Sequence, residues 1–437
     1  MSNALRRHAQ QIWHAAVAAA RPEPLVRRAL AELAEPLRSA SRILVMGSGK
    51  AGAAMAAAVE LALADQLERI EGVVNVPAET VKPLKKIRLN AARPAATNFP
   101  TPEGVVGSQE MLALAKGANP DDIALCLLSG GGSALLPAPA DGISLADKLA
   151  VTKLLHHCGA TINEMNAVRK HLSAIKGGRL AQAFVGKALY SLIISDVIGD
   201  PLDVIASGPT AADPTTFAEA LDVLNRYQLR KQTPASVLEH LWSGAHGKIP
   251  ETPKTMPGHV HNRILASNVK ALADAQACAE SLGYRVLHLG SYIEGETRDI
   301  AVMHAGIVRS IIEQGVPFAP PVCVLSGGET TVTLVPHPGK GGRNQEFVLA
   351  ALLKLGMTPN VVILSGGTDG EDGPTDAAGA IADNTTLERA AALGLDSRDF
   401  LQRNDAHHFF QATGDLFITG LTQTNVMDVR VLLIGAK

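Results

Sequence analysis

The densest chemistry in the sequence lies in glycine-rich segments with charged residues at their ends. Gly47, Ser48, Gly49, Lys50, Ala51 and Gly52 follow the apolar run Ile43 to Met46 and open an alanine-rich stretch. Glycines at a strand end let the backbone turn sharply and leave amide groups open, and a following helix adds its positive end, which suits an anion. The spacing matches GxGxxG, the fingerprint of a dinucleotide site. The acid that such a site wants after the next strand is badly placed, because Val73 to Val76 runs into Pro77 with Glu79 beyond it. A P-loop is ruled out by Leu44 and Ala51, which stand where glycine and a hydroxyl residue are needed. What remains is Lys50 on the first turn of a helix beside an anion-binding loop, with a solvated helix lysine as the plainer alternative.

An apolar run ending in Ser-Gly-Gly occurs three times: LCLLSGGGS from Leu125, VCVLSGGE from Val322 and VVILSGGTD from Val361. Repetition favours a phosphate-rich ligand held by backbone amides, although tight turns that merely close a sheet would look the same. The candidates are Ser129, Gly130, Gly131, Gly132 and Ser133 in the first segment, Glu329 after the second and Asp369 after the third. From Asn163 the chain places Asn166, Arg169, Lys170, Ser173 and Lys176 on neighbouring helical turns, with no acid after Glu164 to offset the cations. That is either a wet face or a set of phosphate contacts, for which Lys170 and Lys176 are nominated beside Gly177 and Gly178.

Asp196 and Asp200 follow the apolar run Leu189 to Ile194, where a carboxylate can hold a divalent ion or take the proton of an attacking hydroxyl. Gly341 and Gly342 lead into Arg343, Asn344, Gln345 and Glu346, and the planar fork of Arg343 suits a carboxylate or a phosphate. Asp369, Glu371, Asp372 and Asp376 could bind a cation, but not as an EF-hand, and Asp196 and Asp369 are the metal candidates. The adjacent pairs His156–His157 and His407–His408 lack the i, i+4 spacing of metal ligands and read as structural.

Short apolar runs, each followed by glycine and a helical pattern, recur from end to end and predict an α/β fold with a mostly parallel sheet. Such sheets bind ligands at the carboxyl ends of their strands. At 437 residues the chain is too long for one ordinary core, so two domains are expected. The pattern fails between Leu229 and His261, a stretch with four prolines, and resumes with strands near Arg263 to Ala266 and Tyr284 to Leu289. The boundary is therefore set at 1–245 and 246–437.

With 40 basic and 42 acidic side chains and no long run of either sign, nothing resembles a nucleic-acid footprint. Cys126, Cys158, Cys278 and Cys323 lie far apart, as reduced thiols of a cytoplasmic protein would. Leu5, Ala9, Ile12 and Ala16 share one helical face, which favours an amphipathic helix over a signal peptide, and no apolar run is long enough to span a membrane.

Taken together, GSGKAG at 47, LSGGGSAL at 128, NAVRKHLSAIKGGRLA at 166, SDVIGDPLDVIASGPT at 195, LSGGETTV at 325, GGRNQE at 341 and SGGTDGEDGPTDAAGA at 365 resemble the class II glycerate 2-kinases, in order and over nearly the whole chain. The resemblance implies a Rossmann-like N-terminal domain, a smaller C-terminal α/β domain of the MOFRL type, and an active site in the cleft between them. It implies ATP, Mg²⁺ and D-glycerate, with 2-phosphoglycerate as product, and leaves homo-oligomerisation open. Lys50, Arg343 and Asp196 match the positions where the family's catalytic residues are sought. An NAD(P)H-dependent hydroxypyruvate reductase, resting on GxGxxG alone, and a non-catalytic sensor of phosphorylated metabolites are the alternatives.

Overall fold

Runs of branched apolar residues too short for helices form strands buried on both faces, as parallel layering demands. In the computed structural model, which describes residues 2–94 and 99–436, they fall into two sheets. The first holds β1 (Ile43–Ser48), β2 (Ile70–Pro77), β3 (Ile87–Arg93), β4 (Ile123–Leu128), β5 (Ala188–Ile194) and β6 (Val260–Ala266), in the order β3-β2-β1-β4-β5-β6. Pairing from β3 through β5 is parallel throughout. This is the strand order of a doubly wound dinucleotide fold, and it reverses between β1 and β4, so the loops leaving those two strands flank the switch point where such sheets bind ligands.

The second sheet holds β7 (Arg285–His288), β8 (Val322–Gly328), β9 (Val361–Gly367), β10 (Gly379–Asp383), β11 (Leu416–Phe417) and β12 (Asp428–Ile434), ordered β11-β10-β9-β12-β8-β7. Only β7 and β8 pair in parallel, because β12 runs against both β8 and β9. The α/β expectation holds in both sheets, with the parallel one in the first.

Contacts divide the chain into Pro22–Leu265 and a unit made of Met1–Arg21 with Ala266–Lys437. Two differences from the boundary expected at 245 follow. The run around Arg263 is the edge strand of the first sheet, and the proline-rich stretch before it contains a helix, Ala235–Ala245, anchored by buried Val237 and Leu241. The first helix, Ser2–Ala19, belongs with the second unit. Its buried face is Leu5, Ala9, Ile12 and Ala16, as its periodicity predicts, joined by Trp13, whose indole N–H donates to the Gly366 carbonyl at 3.1 Å. Arg6 adds ion pairs to Asp383 and Asp415. Polar residues between the apolar ones hide this docking from a hydropathy reading.

No helix among the described residues is long and apolar enough to cross a membrane. Because Trp13 is fully buried, Trp13→Ala should cost about 3–5 kcal/mol in urea unfolding. Leu61→Ala, at an exposed helix position, should stay within about 0.5 kcal/mol in the same measurement.

Candidate active site

The end of β1 and the loop after it run beside the end of β4 and its loop at van der Waals distance, and glycine is what permits it. A Cβ on Gly47 would stand 2.0 Å from the Leu127 carbonyl oxygen, and one on Gly49 would stand 2.1 Å from Ser129 Oγ. The contact is then tied by hydrogen bonds. Ser129 N donates to the Ser48 carbonyl at 3.1 Å, Lys50 N to the Gly130 carbonyl at 2.8 Å, and Ala51 N to Ser129 Oγ at 3.0 Å. Gly131, with φ of 74°, turns the second loop into a short helix, and the space its missing side chain leaves is bordered by Lys50 Cγ and Arg93 Nη2. Gly47, Ser48, Gly49, Lys50 and Ser129 to Ser133 thus form one structure at the switch point. The half-buried Lys50 lies on its rim.

Ser133, at the far end of this loop, pairs its hydroxyl with Ser207 Oγ at 2.9 Å, while its carbonyl accepts from Lys176 Nζ at 3.0 Å. Lys176 also donates to the Ala206 carbonyl at 3.1 Å. Burial, followed by the nearby charges of Lys148 and Arg169, holds its pKa well below the usual lysine range. Lys170, by contrast, is buried against Asp213 at 2.7 Å and Asp203 at 3.2 Å, so two acids distant in sequence do offset this member of the cation run. Asp196 is half-buried just beyond the carboxyl end of β5, on the same edge of the sheet as both glycine loops.

The remaining candidates lie in the second unit, where the Ser-Gly-Gly repeats behave differently. Neither is an open loop. Gly328 and Gly367 both pair with Asp428 at the start of β12, and the glycines before them make room for neighbours. A Cβ on Gly327 would strike Asn268, and one on Gly366 would meet Trp13. These two repeats therefore serve packing, whereas the serine and glycines of the first lie beyond the end of their strand.

Their effect is to bring Glu329, Asp369 and Asp428 to one edge of the second sheet. Asp428, fully buried, grips the Arg343 fork through Nε at 2.6 Å and Nη2 at 3.0 Å, while Nη1 lies 3.1 Å from the exposed Glu329. Burial works against the Arg343 charge, but Asp428, Glu329 and Asp372 outweigh it and raise its pKa. Asp372 takes the amides of Asn344 and Gln345 and so caps the helix Arg343–Leu355, although burial pushes its own pKa up to about 6. Asn344 is turned to Asp428 and Ser365, and Glu346 to Arg298 and Asn404, which makes both internal supports of the Arg343 helix.

Sequence reasoning named Arg343 but missed Asp428, Arg430 and Lys148. An acid and an arginine two residues apart opening the apolar strand Asp428–Ile434 are the signal that could have found the first two. Among the described residues no group of three His, Cys, Asp or Glu side chains could hold a metal ion by themselves. Asp428→Asn would leave the buried guanidinium of Arg430 and the half-buried one of Arg343 short of their carboxylate, a loss of about 3 kcal/mol by denaturant titration. Glu329→Gln, at an exposed pair, should cost about 1 kcal/mol or less.

Comparison with known proteins places this geometry in a family. Residues 8–242 match a domain family described only as of unknown function, DUF4147, and residues 322–428 match the MOFRL family. The chain is 40% identical to a glycerate kinase of Bos taurus, covering 99% of this chain and 94% of the relative. It is also 40% identical to a glycerate 2-kinase of Pyrococcus horikoshii, over 91% and 88%. A relative from Agrobacterium vitis, 42% identical over 98% and 94%, carries a provisional hydroxypyruvate reductase name. The crystal structure of a glycerate kinase from Thermotoga maritima superposes with a TM-score of 0.88 at 34% identity, covering 99% of this chain and all of that one. With both domain families in order and identity of this level along its whole length, the chain belongs to the class II glycerate kinase family.

Proposed function

We propose that the protein transfers the γ-phosphoryl group of ATP to O2 of D-glycerate in the cytoplasm, giving 2-phosphoglycerate and ADP. The observation that carries this reading is the pair of glycine loops lying side by side at the switch point, with Lys50 on their rim. Phosphoryl transfer asks little covalent chemistry of a protein, since fixing the reactants and neutralising the equatorial oxygens supplies most of the rate. Backbone amides and a lysine held at the start of a helix meet that demand.

Lys50 is assigned to the charge that develops on the transferred group. Asp196 is assigned to the acceptor hydroxyl, whose proton it would take, or to the metal. Arg343 is assigned to a substrate oxyanion, received in exchange for the exposed Glu329 while Asp428 keeps the fork fixed. Mg²⁺ fits this inventory, because it keeps several waters and takes only one or two carboxylates besides the phosphates. Asp196 is the first choice for that carboxylate and Asp369 the second. When bound, the ion would neutralise phosphate oxygens of the nucleotide.

A reductase reading is supported by the name of the Agrobacterium relative, but the residue near the end of β2 speaks against it. There Asn75 is fully buried, its side-chain amide donates to the carbonyls of Gly104 and Leu135, and β2 closes on Pro77 where the fingerprint wants an acid.

Purified protein with ATP, Mg²⁺ and D-glycerate should release ADP, and enolase should accept the product directly. A product that enolase accepts only after a mutase is added would move transfer to O3. NADH oxidation by hydroxypyruvate in the absence of ATP would replace the kinase reading altogether. Lys50→Met and Asp196→Asn should each stay folded and lower kcat by at least about tenfold, equivalent to roughly 1.4 kcal/mol of barrier. Arg343→Lys, which keeps charge but loses the planar fork, should raise the D-glycerate KM.

A further inference from the structure

The helices Leu145–His157, Ile162–His171, Phe217–Arg226 and Ala235–Ala245 share an apolar core that includes Val151, Leu155, Val168 and Phe217. Lys148 is carried on the first of these helices, with 5% of its surface exposed and no hydrogen-bond partner for its ammonium nitrogen. Arg169 comes from the second helix, half-buried, with Nη2 3.2 Å from His156 Nε2. Lys176 follows a few residues later, 2% exposed, its ammonium nitrogen bound among the described residues to the carbonyls of Ser133 and Ala206.

These three basic groups lie close enough to act on one another. Burial and then the Arg169 charge depress Lys148 to about 7, and both of those residues depress Lys176. No carboxylate among the described residues forms an ion pair with any of the three. The neighbouring Lys170 shows what the fold does with a lysine that is purely structural, since it meets two aspartates. Clustering buried like charges without counterions destabilises a fold, and such arrangements persist where a ligand supplies the missing charge.

We propose that Lys148, Arg169 and Lys176 together seat a substrate oxyanion, either the carboxylate of the acceptor acid or a phosphate of the nucleotide. The proposal rests on the kinase reading above and deepens it. Two further features point into the same place. Ala206 and Ser207 adopt left-handed backbone conformations with φ of 51° and 60°, a strain that L-residues keep only where the surroundings enforce it. Ser207 Oγ joins Ser133 Oγ at 2.9 Å and Asn166 Oδ1 at 3.4 Å, which puts neutral hydrogen-bonding groups beside the cations at the end of the β4 loop. An oxyanion there would be held by charge on one side and by hydroxyls on the other.

The test is Lys148→Met, which keeps the length of the side chain and removes its charge. Its thermal melting point should equal or exceed that of the parent, because an unpartnered buried ammonium is gone. The KM for D-glycerate or for ATP should rise at least tenfold, and whichever rises identifies the anion as carboxylate or phosphate. A folded variant in which neither KM changes more than twofold overturns the proposal. If Lys148→Met does not fold, Arg169→Gln, at a half-buried position, is judged by the same comparison.

Calorimetry of the full chain with D-glycerate alone and with inorganic phosphate alone separates this proposal from the kinase reading. Absence of ADP formation by the parent protein sinks the kinase, yet the cluster stands if either probe binds the parent and loses tenfold in affinity in the variant. The cluster falls if neither probe binds, or if both bind parent and variant alike.

Discussion

The first unit's share of the candidate site depends on two strand ends and their loops lying side by side at backbone contact. Gly47 lies against the Leu127 carbonyl and Gly49 against Ser129 so closely that a single methyl group at either would displace β4 from β1. The parallel pairing of these strands and the reversal of strand order between them put this contact at the carboxyl edge of the sheet. Once it is made, the Lys50 and Ala51 amides have partners in the opposite loop, and the Lys50 side chain leaves from a fixed point. Position, which is most of what phosphoryl transfer requires, is thus set by main-chain packing rather than by side-chain choice.

The second unit reaches a fixed arginine by another route. Its two Ser-Gly-Gly segments end strands on either side of β12, so their glycines bring three backbones together and leave Asp428 between them. Asp428 is fully buried and would be costly as an isolated charge, but Arg343 and Arg430 are both within its reach. The bidentate contact fixes the plane of the Arg343 fork and leaves the Glu329 side to a weaker, exposed partner. Asp372, capping the helix that starts at Arg343, fixes the other end of the same arrangement.

Much of this was readable before any coordinates. Strands followed by glycine give the α/β class, and the context of Gly47 to Gly52 points to the carboxyl edge of the first sheet, because both are local signals. What stayed hidden depends on residues far apart in the chain. The docking of the first helix needs Trp13 to find Gly366, and the pairing of Lys170 needs Asp203 and Asp213. The three Ser-Gly-Gly repeats look alike in sequence, but only the first leaves the sheet, since β8 and β9 have β12 to pair with through their glycines. A glycine that opens a loop and a glycine that admits a neighbour cannot be told apart until the neighbour is known.

The same reasoning separates the lysines of the cation run, which the sequence presents as one wet face. Burial alone does not mark a functional lysine, because Lys170 and Lys148 are both inside the protein. Countercharge is what distinguishes them. Lys170 is neutralised by groups the fold itself supplies and contributes to holding Asp203 and Asp213 in place. Lys148 has Arg169 and Lys176 as its basic neighbours, so in the unliganded fold each proton these amines keep gathers like charge where solvent screens it least, and their pKa values fall. An arrangement that weakens the fold in isolation is explained when the energy is recovered on binding, and the nearest feature able to present a ligand is the β4 glycine loop, whose Ser133 carbonyl Lys176 already holds. The two ends of that loop then have separate duties, with Lys50 beside Gly131 at one end and an oxyanion seat beyond Ser133 at the other.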